Sequence, residues 1–207
     1  MLRGVFLIAA AAVSLPASSA EIHSLDITRE SGRYELTAET HMAAPPDAIF
    51  EVLVDYEDGR YRRISSVYKE SDYLTPAPDG TPIVYTRIKG CLLFFCKSMR
   101  LVERLEAEAP NYIRTTGLPE RSDFSYSRSE WMLEPTADGT DVTYRLVLEP
   151  DFWIPPVIGP LLLKKTLMHG GPRVLRRIER LARGLPSGLE PEGVEPSSLE
   201  TTTAAAP

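Results

Sequence analysis

Three histidines, two cysteines and a run of serines carry the most distinctive side-chain chemistry in this 207-residue chain. His23, His41 and His169 stand far apart, without the spacing that would set two imidazoles on one helix face. A zinc site needs three or four ligands, and two cysteines add little to that set. No metal and no other cofactor is expected. Neither a G-x-S-x-G elbow nor a glycine-rich phosphate loop occurs. Ser122, Ser125, Ser127 and Ser129 form a serine-rich run with no histidine near it in sequence, so nothing there marks a Ser–His nucleophile.

Cys91 and Cys96 lie five apart within Gly90-Cys91-Leu92-Leu93-Phe94-Phe95-Cys96-Lys97. In one regular strand they would sit roughly 16 Å apart on opposite faces. A disulfide needs Cα atoms within about 7 Å. Pairing therefore requires a tight turn or bulge here, which would leave Leu92 to Phe95 as an apolar hairpin tip. The other reading is two thiols in one long strand.

Charged residues are the remaining candidates. Arg87, Lys89, Glu103, Arg114, Arg128, Glu130 and Arg145 all fall in strand-like runs. Most read as solvent-facing cross-strand pairs.

The elements that must position these groups follow from the patterning. Residues 1–20 have Arg3, an apolar run from Val5 to Val13, Pro16, and small Ser18 and Ala20 before a cleavage point. This is the layout of a secretory signal peptide, so a periplasmic or secreted location is expected. Residues 185–207 hold Pro, Gly, Ser, Thr and four Glu, with no aromatic or basic residue. Such a segment cannot bury enough apolar area to order itself and reads as a disordered acidic tail. The fold is expected in 21–184. The net charge of −6 argues against a nucleic-acid partner.

Within 21–184, Ile22–Thr28 is a strand candidate. Tyr34, Leu36, Ala38, Thr40 and Met42 alternate with polar residues, which marks a half-buried strand. Ala44-Pro45-Pro46-Asp47 opens a helix, with Ile49, Phe50, Val52, Leu53 and Tyr56 at helical spacing up to Gly59. Strands then follow one another: 66–74, 82–89 continuing into 91–99, 101–108, 112–116, 123–134 and 140–149. Turn residues recur between them as in an antiparallel meander. A last helix runs to Arg183, and Gly170-Gly171-Pro172 should kink or break it. The fold class expected is α+β.

This order resembles the START-like, or SRPBCC, superfamily of polyketide cyclases, lipid-transfer domains and coenzyme Q-binding proteins. The matching residues are His41-Met42-Ala43-Ala44-Pro45-Pro46-Asp47-Ala48-Ile49-Phe50, then Val54-Asp55-Tyr56 with Tyr61. Trp131-Met132-Leu133-Glu134-Pro135, Gly139-Thr140, Val142-Thr143-Tyr144 and Pro155-Pro156 extend the match. The resemblance implies a helix-grip fold, a curved antiparallel sheet wrapped around a long C-terminal α-helix, with an apolar cavity between them. It implies a hydrophobic small molecule or lipid as partner. Catalysis is not required by it. A cyclase or aromatase, or a non-catalytic module of the cell envelope, stand as alternatives.

In such a cavity one or two charged strand residues would orient the ligand. Tyr85 shares a face with Arg87, and Tyr126 with Arg128, while Ser125, Ser127 and Ser129 lie opposite with Trp131. Which face is inside stays open. Tyr144, Trp153 and Leu161 are the further ligand-binding candidates. Trp153 and Leu161 belong to Phe152–Leu163, the most apolar segment after the signal, followed by Lys164 and Lys165. That segment reads either as core packing or as a cavity mouth that touches a membrane surface transiently. A monomer is expected.

Overall fold

The computed structural model describes residues 21–92, 95–152 and 158–189. Strand β2 (Arg33–Met42) shows how the sheet is built. Its alternation buries Tyr34, Leu36, Ala38, Thr40 and Met42 and leaves the other parity wetter, because successive side chains on a strand point to opposite faces. Its neighbours are β1 (Glu21–Glu30) and β8 (Thr140–Pro150), both antiparallel. The remaining strands are β3 (Tyr68–Leu74), β4 (Ile83–Leu92), β5 (Phe95–Glu108), β6 (Tyr112–Gly117) and β7 (Phe124–Pro135). They complete one curved antiparallel sheet ordered β1-β2-β8-β7-β6-β5-β4-β3.

Two of the expected strands are drawn differently. The run through residue 99 is divided by a hairpin inside the cysteine segment, where Cys91 pairs with Cys96 and Leu92 with Phe95. Beyond it, β5 passes residue 100 without interruption. Register alone brings the two cysteine backbones together, and Cys96 is disulfide-bonded.

Helix α1 (Pro46–Val54) starts with Pro46 at its first position, where a missing N–H costs nothing. It ends at Asp55 rather than Gly59. The Asp55 carboxylate there accepts hydrogen bonds from Arg60 and Arg63. This ties down a 3₁₀ segment over Glu57–Arg63, itself bent at Asp58 and Gly59, both of positive φ. Ile49 and Leu53 are buried beneath α1.

Helix α2 spans Ile158–Ala182. Helical backbone continues through Pro172 instead of breaking there. The residue before a proline is normally kept out of the helical region by its Cβ, and here that residue is Gly171. Leu175 and Ile178 enter the core with Met42, Ile49, Leu53, Val84, Leu105, Ile113, Leu133 and Val142. The helix closes where the N–H of Leu185 bonds the Arg180 carbonyl and that of Gly184 the Leu181 carbonyl, with Gly184 at φ +68°. Glycine suits that left-handed cap.

Candidate functional site

The strand registers identify the inner face. Across the sheet, Val84 pairs with Glu103, Glu103 with Gly117, Leu105 with Thr115, Thr115 with Ser129, Trp131 with Tyr144 and Tyr144 with Ala38. Direct cross-strand partners share a face, so this parity is continuous with buried β2. Of the seven charged strand residues singled out in the sequence, Glu103 alone lies on it.

Glu103 is only 7% exposed. Its Oε1 accepts hydrogen bonds from Thr115 Oγ1 at 2.9 Å and Ser127 Oγ at 3.0 Å, and Oε2 takes neither. Thr115 is also 2.8 Å from Ser129 Oγ. Ser127 stands two strands from Glu103, with Gly117 of β6 between them. A Cβ on Gly117 would lie 2.5 Å from Ser127 Oγ, so the glycine provides the gap through which the hydroxyl reaches. Burial pushes the Glu103 carboxyl up from the usual range, and the Thr115 and Ser127 hydrogen bonds oppose that rise.

Tyrosines surround this carboxyl. Tyr56 and Tyr61 stack with centroids 4.2 Å apart, and Tyr68 and Tyr73 meet that pair edge-on. Burial raises the phenols of Tyr56, Tyr61, Tyr68 and Tyr144, and the Glu103 charge raises each further. Tyr68 is pushed up to about 12. Trp131 and Tyr144 are tilted against each other at 4.1 Å. Around them Ile88, Leu146 and Leu148 also face inward, yet all five stay half-buried. By contrast, Leu133 and Val142 on the same strands are 1% exposed. One end of the inner face is thus filled by core, and the other presents apolar and aromatic side chains that the described residues do not cover.

Residues 33–183 match the model of the polyketide cyclase/dehydrase and lipid transport family. The chain belongs to this family. Members of its START/SRPBCC superfamily share the fold. A STAR-related lipid transfer protein from Xanthomonas axonopodis is 20% identical, with TM-score 0.56 over 75% of this chain and 98% of that one. A START superfamily protein from Mycobacterium smegmatis is 22% identical, with TM-score 0.54 over 72% and 98%. An aromatase/cyclase from a Streptomyces species is 15% identical, with TM-score 0.55 over 73% and 94%. No curated protein matches the chain. Strand β1 precedes the matched residues and adds an edge beside β2.

Within this family fold the predicted site residues divide. Trp131 and Tyr144 meet on the inner face. Tyr85, Arg87, Tyr126 and Arg128 lie on the outer one. There Arg87 Nε donates to Tyr85 Oη at 3.0 Å, and that hydroxyl donates to Glu70 at 2.9 Å. Arg33 covers the Tyr126 ring at 4.5 Å. Arg128 donates to Glu130 at 2.7 Å, which with Tyr112 and Arg114 holds that carboxyl down at about 2. Ser125 does not join Ser127 and Ser129, because a bulge between Phe124 and Tyr126 shifts the register and turns it outward onto the Glu149 carbonyl. Trp153 lies outside the described residues, and Leu161 falls in the part of α2 where only the backbone is described.

Glu103 stands among the charged strand candidates but not among the ligand-binding ones, and Thr86 and Gly117 stand among neither. The signal for Glu103 was a carboxyl sharing parity with Leu101 and Leu105. Gly117 carries none without the register.

Proposed function

We propose that the protein is an exported carrier that holds a hydrophobic molecule, a lipid, isoprenoid quinone or similar, between the inner face of its sheet and α2 in a helix-grip arrangement. One observation carries this reading. Ile88, Trp131, Tyr144, Leu146 and Leu148 face inward but remain half-buried, while a finished core would bury such side chains fully. Ligand sites are lined in this way, by apolar and aromatic groups with a few placed polar ones. Membership of a family described by lipid transport supports it.

The signal-like residues 1–20 assign export, with cleavage after Ala20. The apolar segment with Trp153 and Leu161, followed by Lys164 and Lys165, touches anionic membrane surfaces transiently. The carrier acts as a monomer.

Incubation with vesicles containing a self-quenching fluorescent diacylglycerol, a lipid with a neutral head, tests the binding. Dequenching that saturates with protein supports carriage. No transfer from vesicles, and no binding of the free probe, would remove it.

A further inference from the structure

Glu103 costs the fold energy that its packing does not need. A buried carboxylate without a paired cation is expensive, and an apolar residue of similar volume serves a core as well or better. Glu103 has no ion pair among the described residues. Two described cations share its parity. Arg29 is on β1, at the far side of the sheet, and lies over Tyr34. Lys97 lies over Phe152, six residues back along β5, or about 20 Å in an extended strand. The described residues of α2 packed into the core are Val174, Leu175, Ile178, Glu179, Leu181 and Ala182, and the half-buried Arg177 beside them feels its neighbours Arg173 and Arg176 rather than Glu103.

What the carboxyl does have is a set of neutral donors and one uncommitted oxygen. Both hydroxyls that bond it converge on Oε1. A second polar group stands on the same face. Thr86, opposite Leu101 and so diagonal to Glu103, is 3% exposed, and its Oγ1 has no hydrogen-bond partner. A buried hydroxyl without a partner is destabilising in an empty site. An acceptor oxygen and an unpaired hydroxyl on one inward patch, beside the Trp131–Tyr144 wall, match a neutral group that both donates and accepts.

We propose that Glu103, with Thr86 beside it, is the polar anchor of the site and selects an apolar ligand with a hydroxyl head, an alcohol or phenol, over one ending in a carboxylate or phosphate. This rests on the carrier reading above. The ligand hydroxyl donates to the Glu103 carboxyl and accepts from Thr86. An anionic head would bring like charge against a buried carboxylate with no cation beside it among the described residues to offset it.

Four probes of one shape test the selection: pyrenebutanol, pyrenebutanoate, pyrenebutylamine and butylpyrene. Each is titrated by fluorescence into the full processed chain at neutral pH. Pyrenebutanol should bind about tenfold tighter than pyrenebutanoate and butylpyrene, the worth of one charge-assisted hydrogen bond. Glu103→Gln should bring the alcohol-over-acid ratio below about threefold. Thr86→Val, which removes only an unpaired hydroxyl, should keep the fold and weaken pyrenebutanol about threefold without changing butylpyrene. Equal binding of all four probes overturns the anchor and leaves hydrophobic carriage standing. Tightest binding of pyrenebutylamine overturns the choice of a neutral head. No binding of any probe overturns carriage, and the anchor with it.

Discussion

Ser127 donates a hydrogen bond to Glu103 at 3.0 Å from two strands away, across the backbone of Gly117. The gap exists because Gly117 has no side chain: an added Cβ would stand 2.5 Å from the Ser127 hydroxyl. Gly117→Ala should therefore break that bond and destabilise the fold by about 1–3 kcal/mol, the cost of leaving a buried acceptor short of a donor. The same change at an unconstrained site stabilises by about 0.4–1 kcal/mol, and Gly117 is not among the glycines of positive φ. Urea denaturation of the variant decides by sign. A neutral or stabilised Gly117→Ala would show that the gap does not matter.

Glu103 also sets a pH dependence. Its folded-state pKa lies above the ordinary glutamate value because burial disfavours the charged form. Its contribution to stability is present below an unfolded pKa of about 4.3 and is lost as pH rises through the folded value. Glu103→Gln should remove that loss, so the variant gains on the parent as pH rises across this window. Denaturation midpoints at a series of pH values would show it, and parallel curves for the two proteins would refute it.

Glu130 behaves with the opposite sign on the outer face. Hydrogen bonds from Arg128, then Tyr112 and Arg114, hold it at about 2. Its contribution is present above about pH 4.3 and fades as pH falls toward the folded value. Glu130→Gln should flatten the acid limb of the stability curve between those values while leaving the limb due to Glu103 in place. An unchanged acid limb would mean that the Arg128–Glu130 pair is held no better than a screened surface contact.

Tyr61 links α1 to the sheet. Its hydroxyl donates to the Leu53 carbonyl at 2.8 Å, and its backbone N–H donates to Ser71 Oγ at 3.2 Å. Tyr61→Phe deletes the first bond together with the hydroxyl's hydrogen-bond contact with Tyr56, and keeps the ring stacked on Tyr56. A loss of about 1 kcal/mol in thermal or urea unfolding is expected, with probe binding retained.

Trp131 should behave in the reverse manner. It is half-buried against Tyr144, so removing it costs the empty fold less than removing a core residue. Trp131→Ala should weaken binding of a hydrophobic probe by about fivefold or more, from one lost aromatic contact. Titration against unfolding data on the same variant separates the two effects.

Much of this architecture is legible where one sheet face is wet. The alternation of Tyr34 to Met42 and of Val142 to Leu148 identifies β2 and β8 as strands from sequence, and the registers then show which parity faces inward. Parity fails where both faces carry mixed residues. Tyr85 with Arg87 and Tyr126 with Arg128 read equally well as ligand contacts and as the outer-face ladder they form. Ser125 is misplaced because a bulge leaves no mark in the pattern. The hairpin between Cys91 and Cys96 carries no glycine or asparagine at its tip, so an apolar run hides the turn. The Glu103 site depends on Gly117 and Ser127, which meet it only through registers between β5, β6 and β7. A charged residue on the apolar parity of a strand, as between Leu101 and Leu105, is the one local sign of it.

On the carrier reading, a hydrophobic molecule occupies the half-buried inner face. Native mass spectrometry of the protein purified from its own compartment, followed by solvent extraction of the same sample, tests this most directly. A near-stoichiometric adduct should appear, and extraction should release it as an apolar, hydroxyl-bearing compound. A protein that appears only at its unliganded mass, and that takes up no lipid probe afterwards, would contradict that reading.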